Sequence, residues 1–175
     1  MSKVAIEDIA RYTVLRLTQN GNSICPLKLQ KVLYYMQAWY MVYFNRENTL
    51  FDDVPEAWVN GPVYRSVYNA YKDVGMYDQI PLAKVGSSEE SLEKDTEALY
   101  RKMGLNKEET EFIEAVYKHY GSMSHDRLVF LTHSQRPWNE ARKGLEPFEY
   151  GNQEISLDTM YQYYTGIKSM RDGKI

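Results

Sequence analysis

The sequence has few of the side chains that enzymes most often use at their active sites. It contains one cysteine, Cys25, and three histidines, His119, His125 and His133, among 175 residues. A single cysteine excludes an internal disulfide, and no histidine lies at a metal-ligand spacing from a cysteine or a second histidine. No glycine-rich phosphate-binding loop is present either. We therefore expect no metal, no cofactor and no enzymatic activity.

Cys25 supplies the main alternative that points to an enzyme. It stands just before a predicted helix N-terminus, where the helix dipole favours a thiolate. A nucleophilic cysteine also needs a basic partner, and the histidines lie far away in sequence without a catalytic spacing. A small hydrolase that uses Cys25 or His133 stays open as an alternative to a packed thiol and a histidine that fixes a helix corner.

The chain also lacks a long apolar run, a basic leader and an excess of positive charge. No apolar run is long enough to span a bilayer, and the N-terminus does not read as a secretory leader. The net charge is -3, whereas nucleic-acid binders usually present a clustered basic surface. We expect a cytoplasmic protein that binds no membrane, and the acidic balance argues against a nucleic-acid partner.

Tyrosine is the residue type that the chain has in excess. There are 16 tyrosines beside 5 phenylalanines and 3 tryptophans, more than a core of this size easily holds with every hydroxyl paired. Because tyrosine combines rigid apolar area with a polar tip, it is enriched at protein interfaces. The composition therefore favours a protein that binds other proteins.

The segment from Cys25 to Lys72 organises the rest of the chain. Pro26 suits the first position of a helix, and no charged residue occurs between Lys31 and Arg46. Apolar residues recur there on more than one helical face, which is typical of a buried helix. We predict a mostly α fold: residues 1–175 form a single compact multi-helix domain around a buried central helix over about 26–45, with at most a minor short β element near 57–59.

The remaining segments predict six or seven helices in total. An amphipathic helix spans Ile6 to Leu17, and a second one spans Leu92 to Met103. Further helices begin after polar residues that can cap them or at a proline, namely at Asn106, Ser122 or Ser124, Pro137 and Ser156. Residues 75–88 give no regular prediction.

The sequence Asn60-Gly61-Pro62 predicts a turn followed by a helix that begins at Pro62. In that helix the valines at 63, 67 and 74 form the core stripe, and three tyrosines form a second stripe at the margin between core and solvent. The predicted partner-binding residues are this stripe and its two flanking cations: Tyr64, Arg65, Tyr68, Tyr71 and Lys72. The alternative is that the rings lie flat over the core edge and bind nothing.

Several short motifs, in this order, resemble the Panacea-domain, or SocA-like, antitoxin family of phage-associated proteins. They are Leu27-Lys28-Leu29-Gln30-Lys31-Val32-Leu33-Tyr34-Tyr35, Glu56-Ala57-Trp58, Gly61-Pro62-Val63 with Val67-Tyr68, and Leu131-Thr132-His133 with Pro137-Trp138. The resemblance covers roughly positions 25 to 140. Most of its residues look like determinants of the fold. We expect Trp58 to be a core anchor, Gly61-Pro62 to start a helix and Trp138 to fill a corner between helices. The predicted structural residues are Leu29, Tyr35, Trp39, Trp58, Gly61, Pro62, His133, Pro137 and Trp138.

The resemblance implies an antitoxin of a two-gene toxin–antitoxin system, of the kind linked to phage defence. It implies neutralisation of a cognate protein toxin by direct binding, which blocks the toxin's active site or its access to substrate. The toxin would be, for example, an alarmone-synthetase-like enzyme or a translation inhibitor. The alternative is a proteolytic adaptor that delivers the toxin to a protease, and the oligomeric state stays open.

Overall fold

A computed structural model describes residues 2–173 and shows a helical fold with one small hairpin. The elements in chain order are α1 (Ile6–Gln19), α2 (Pro26–Phe44), β1 (Glu56–Trp58), β2 (Gly61–Val63), α3 (Arg65–Tyr71), a 3₁₀ turn (Leu82–Val85), α4 (Leu92–Met103), α5 (Lys107–Tyr120), α6 (His125–His133), α7 (Arg136–Ala141) and α8 (Leu157–Gly173). The mostly α fold with a minor β element is confirmed. None of the helices between residues 2 and 173 has the length and apolar character that a bilayer crossing needs.

Helix α2 is the centre of the fold, as predicted. Every residue from Leu27 to Met41 is buried, and the helix contacts α1, α3, α5, α6, α8 and the hairpin. The helix begins at Pro26 because a proline at this position costs no hydrogen bond. It ends at Phe44, and the residue that follows, Asn45, is a non-glycine residue at φ 82°.

Most of the tyrosines belong to the core, which differs from the expectation drawn from composition. Nine of the 16 are buried: Tyr12, Tyr34, Tyr35, Tyr40, Tyr64, Tyr71, Tyr117, Tyr120 and Tyr164. Several of their hydroxyls pair with residues far away in the chain; Gln135 Oε1, for example, accepts from both Tyr35 (2.8 Å) and Tyr164 (2.7 Å). The Tyr35 and Tyr120 rings stack at 4.3 Å between centroids. The core therefore accommodates several of its tyrosines by pairing their hydroxyls with distant side chains.

Buried polar side chains of α2 hold the backbone of neighbouring loops. The Gln30 amide accepts from the Tyr64 N–H (2.8 Å) and donates to the Tyr64 carbonyl (3.2 Å). Gln37, two turns further along the same face of α2, accepts from the Leu50 N–H (2.8 Å) and donates to the Phe51 carbonyl (2.6 Å). Both amides replace the water that these backbone groups lose on burial.

Two buried lysines of α2 complete this arrangement. Lys28 donates to the carbonyls of Ser23 and Gly121, and Lys31 donates to the Pro62 carbonyl (3.0 Å). Lys31 has no exposed surface, and burial lowers its pKa to about 7, although Cys25 acts in the opposite direction. The polar positions of the LKLQK motif therefore serve to hold loops and the hairpin on the central helix.

The prediction that a helix begins at Gly61-Pro62 is wrong. Gly61 to Val63 form β2, which pairs antiparallel with β1 in the register Glu56↔Val63, Ala57↔Pro62 and Trp58↔Gly61. The preference of proline for a helix start does not decide the conformation here, because the neighbouring chain and Lys31 hold this segment extended. Gly61 does adopt the expected unusual backbone, at φ +106°.

The predicted helix caps are largely confirmed. Asn106 and Glu109 form a reciprocal capping box at α5, and Ser124 accepts from the Arg127 N–H at α6. Ser156 accepts from the Thr159 N–H (3.2 Å) at the start of α8. Local hydrogen-bonding chemistry fixes these starts, which is why the sequence reveals them.

Candidate protein-interaction site

The structure divides the predicted tyrosine stripe between the core and the surface. Tyr64 and Tyr71 are buried, whereas Tyr68 is 41% exposed. The expectation of one exposed margin is therefore wrong, and its physical reason is that α3 begins at Arg65, three residues later than predicted. Tyr64 precedes the helix in an extended conformation, and its hydroxyl is buried without a hydrogen-bond partner.

Tyr68 and Arg65 form one surface cluster with Trp58 of the hairpin. The Tyr68 and Trp58 rings meet edge to face at 4.8 Å between centroids, and the Arg65 guanidinium lies 5.3 Å above the Trp58 ring. Trp58 is half-buried rather than the core anchor that the sequence predicted. It is thus a surface aromatic residue whose position α3 supports.

Glu56 neutralises the charge of this cluster. Arg65 donates two hydrogen bonds to its carboxylate, at 2.9 and 2.8 Å, and Trp58 Nε1 donates a third at 3.2 Å. The Arg65 bond is the main reason that the pKa of Glu56 lies below its usual range. The cluster therefore presents rigid aromatic area more than net positive charge, a composition that is common in interaction hot spots.

Trp58 and Tyr68 of this cluster form one side of an open groove of about 520 Å³. Leu27, Val63, Val67 and Tyr71 contribute apolar lining, and Trp58, Tyr68, Met76 and Tyr150 also line it. Met76 is 44% and Tyr150 70% exposed. Lys72 also lines the groove. An apolar groove with exposed aromatic residues in a single chain is typical of a protein-interaction site.

The motif residues lie behind this groove and fix the hairpin that carries Trp58. Trp138 Nε1 donates to the Trp58 carbonyl (2.8 Å), and the His133 ring stacks on Trp138 at 4.0 Å between centroids. Burial lowers the pKa of His133, and the neighbouring charge of Lys31 lowers it further. The imidazole is therefore neutral at pH 7. Because His133 stacks on Trp138 and Trp138 holds the Trp58 carbonyl, these motif residues position the hairpin.

The other structural residues named from the sequence lie in the core or at its edge. Leu29, Tyr35 and Trp39 are buried on α2, and Pro137 is buried at the start of α7. Cys25 is buried at the N-terminus of α2 and lines a depression that also contains His125. No hydrogen bond joins their side chains in the part of the chain that the structure describes. Within residues 2–173, no three His, Cys, Asp or Glu side chains are grouped so that they could hold a metal.

Among the lining residues that sequence reasoning missed are two large, exposed apolar side chains, Met76 and Tyr150. Met76 lies in the segment for which the sequence gives no pattern. Tyr150 did carry a signal, because it is an aromatic residue in a predicted loop, two positions after Phe148. The Tyr150 side chain lies 70% exposed.

Comparison with known proteins gives one family. A family model described as "Antitoxin SocA-like, Panacea domain" matches residues 29–139, from the first turn of α2 into α7. No curated protein and no solved structure matches the chain. The matched range contains α2, the hairpin and α3, and therefore most of the groove.

Proposed function

Because this chain belongs to the SocA-like antitoxin family with the Panacea domain, we propose that it neutralises a cognate protein toxin by binding it directly. The observation that carries the proposal is the apolar groove beside Trp58 and Tyr68, which offers preformed aromatic contact area. The complex blocks the active site of the toxin or its access to substrate. The resemblance suggests that the toxin is an alarmone-synthetase-like enzyme or a translation inhibitor. The two proteins bind each other in the cytoplasm.

The contact is centred on the side of the groove that Trp58 and Tyr68 line, with Arg65 on the Trp58 ring and Lys72 also in the lining. Tyr64 and Tyr71 contribute indirectly, since their rings are buried and hold α3 in position. Arg65 is held by Glu56, so little side-chain freedom is lost when a partner covers it. Preorganised aromatic residues of this kind concentrate binding energy in a few positions.

Co-expression with the product of the neighbouring gene tests the proposal. We expect this protein to restore growth and to co-purify with that product. Tyr68→Ala should weaken the complex by about 2 kcal/mol or more, as for a hot-spot tyrosine. Tyr43→Ala is the matched control, because Tyr43 is 58% exposed but lies on the opposite end of the central helix, away from the groove. Full toxicity without a complex would refute direct neutralisation.

The proteolytic adaptor differs in one measurable quantity, the lifetime of the toxin. An adaptor shortens the half-life of the toxin in cells, whereas a neutralising partner leaves the toxin present and silent. Immunoblotting of the toxin after translation is stopped, with and without this protein, separates the two. A role in phage defence is tested by plating phages on cells that carry the intact gene pair.

A further inference from the structure

The segment between α7 and α8 is an irregular loop that one buried side chain holds in place. Arg142 is 5% exposed, and its guanidinium donates to three carbonyls: Ala57 (2.9 Å), Glu146 (3.2 Å) and Glu149 (2.6 Å). The first of these lies in β1, and the other two lie in the loop itself. Arg142 therefore ties the loop to the hairpin that carries Trp58.

Further hydrogen bonds close the loop on itself. The Leu145 N–H donates to the Arg142 carbonyl (3.0 Å), and the Glu149 N–H donates to the Glu146 carbonyl (3.1 Å). The Glu146 N–H donates to the carboxylate of Glu149 (2.9 Å). A loop with this many internal bonds has already lost the conformational freedom that binding would otherwise cost.

This ordered loop exposes the apolar side chain that is most open to solvent among the described residues. Phe148 is 89% exposed, and Tyr150, two residues further on, is 70% exposed and lines the groove. Glu146 and Glu149 flank Phe148 with two carboxylates, and both residues are exposed. The tip of the loop thus presents an exposed phenylalanine between two negative charges. Tyr150 connects it to the groove of the candidate interaction site.

We infer that the loop over residues 143–150 enters the toxin, with Phe148 in an apolar pocket that is surrounded by lysine or arginine side chains. The inference rests on the proposed function and adds the chemistry of the partner to it. An apolar or aromatic pocket with a cationic rim is typical of sites that bind bases and phosphates. A loop that presents an aromatic ring between carboxylates occupies such a site in place of substrate, which explains how binding would block access.

The first test compares two exposed phenylalanines in the complex with the neighbouring gene product. Phe148→Ala should raise the Kd about tenfold or more, as for an anchor residue. Phe130→Ala should change the Kd less than about twofold; Phe130 is 68% exposed but belongs to α6, outside the loop. Both side chains face solvent, so neither substitution should alter the melting temperature.

The second test measures the charge of the rim. Glu146 contributes its backbone N–H, and not its side chain, to the hydrogen bonds of the loop. Glu146→Gln therefore removes one carboxylate and leaves these bonds in place. It should lower the association rate constant and flatten its dependence on salt, because the attraction to a cationic rim is lost. An unchanged salt dependence would contradict the cationic rim.

Arg142 acts as a positioning residue, and a double-mutant cycle tests this role. Arg142→Gln should weaken binding of the otherwise unchanged protein and add little in the Phe148→Ala background, because it acts through the loop. A merely destabilising effect would instead add in both backgrounds. If the wild-type complex forms and Phe148→Ala binds as tightly as wild type, the inference is wrong while direct neutralisation stands; if no wild-type complex forms, both are wrong.

Discussion

At the scale of single residues, Gly61 and Lys31 determine how the hairpin joins the central helix. Gly61 has φ +106°, and a Cβ built there would lie 2.5 Å from Lys31 Cε and 2.9 Å from Thr132 Oγ1. Only a residue without a side chain lets the lysine pass to the Pro62 carbonyl. The glycine of the Gly61-Pro62-Val63 motif is therefore required by a contact from another element.

Replacement of Gly61 by alanine tests this contact. Gly61→Ala should lower the free energy of unfolding by about 2–4 kcal/mol, since backbone strain and overpacking combine. Gly104→Ala is the control, because Gly104 has φ +63° with no atom within 4 Å of the added Cβ. It should cost only the backbone strain, about 1–2 kcal/mol. Equal losses in urea unfolding of the two variants would show that the Lys31 contact is unimportant.

Lys31 should make stability depend on pH above neutrality. Its pKa is about 7 in the folded protein, and an unfolded lysine titrates near about 10.4. Between these values the unfolded chain binds more protons, so stability rises with pH. From pH 7 to 9 we expect a gain of up to about 2 kcal/mol from this group.

Urea unfolding at the two pH values measures this gain. Lys31→Met should abolish most of the rise, whatever its effect on absolute stability, because the titrating group is gone. Lys118→Met, which changes an exposed lysine near the end of α5, should leave the rise intact. A rise of the same size in Lys31→Met would assign it to other groups.

At the scale of secondary-structure elements, α3 depends on a side chain of α2 for its position. Gln30 pairs both backbone groups of Tyr64, the residue that precedes α3. Gln30→Met should lower the free energy of unfolding by about 1–3 kcal/mol, because it leaves the buried Tyr64 N–H without a partner. The Tyr64 carbonyl keeps its second donor, the Tyr68 N–H at 2.9 Å. The substitution should also weaken toxin binding by the folded protein, since Tyr68 and Arg65 lose their fixed position.

Gln37→Met is the matched control for this element. Gln37 makes the same pair of bonds to the loop at Leu50 and Phe51. We expect a similar loss in chemical denaturation but unchanged affinity for the toxin, measured by calorimetry at a temperature where both variants are folded. Equal affinities for the two variants would mean that the position of α3 does not control binding.

At the scale of the whole molecule, the core extends beyond the range that the family model matches. Helix α1 contributes Ile9, Val14, Leu15 and Leu17 to the core without exposed surface, and α8 contributes Met160 and Tyr164. Tyr164 also completes the hydrogen bonds around Tyr34 and Gln135. We therefore expect the fold to depend on both terminal helices.

Expression of residues 29–139 alone tests this dependence. We expect an aggregated or unfolded product, because removal of α1 and α8 exposes most faces of α2 to water. Circular dichroism and size-exclusion chromatography, with residues 2–173 as the comparison, measure the loss. A monomeric, cooperatively melting fragment would show that the matched range is an independent domain.

The elements that the sequence predicted well are those that local chemistry decides. The apolar periodicity of α1, α2, α4 and α5 and the caps at Asn106 and Ser124 depend on neighbours within a few positions. The start at Pro62 was wrong because a proline also fits a short strand at the sheet edge, and only the pairing with Glu56–Trp58 decides between them. The stripe of tyrosines failed for the same reason, since its register depended on where α3 begins.

From the sequence alone one can predict a helical domain built on a buried central helix, and one can assign the chain to an antitoxin family. Which tyrosines are exposed depends on the folded chain, because a tyrosine can be buried when a distant residue accepts its hydroxyl, as Gln135 does for Tyr35. The tertiary structure also decided that the polar residues of the LKLQK motif lie inside the protein. Their partners are backbone groups of loops remote in sequence, and such pairings leave no local pattern.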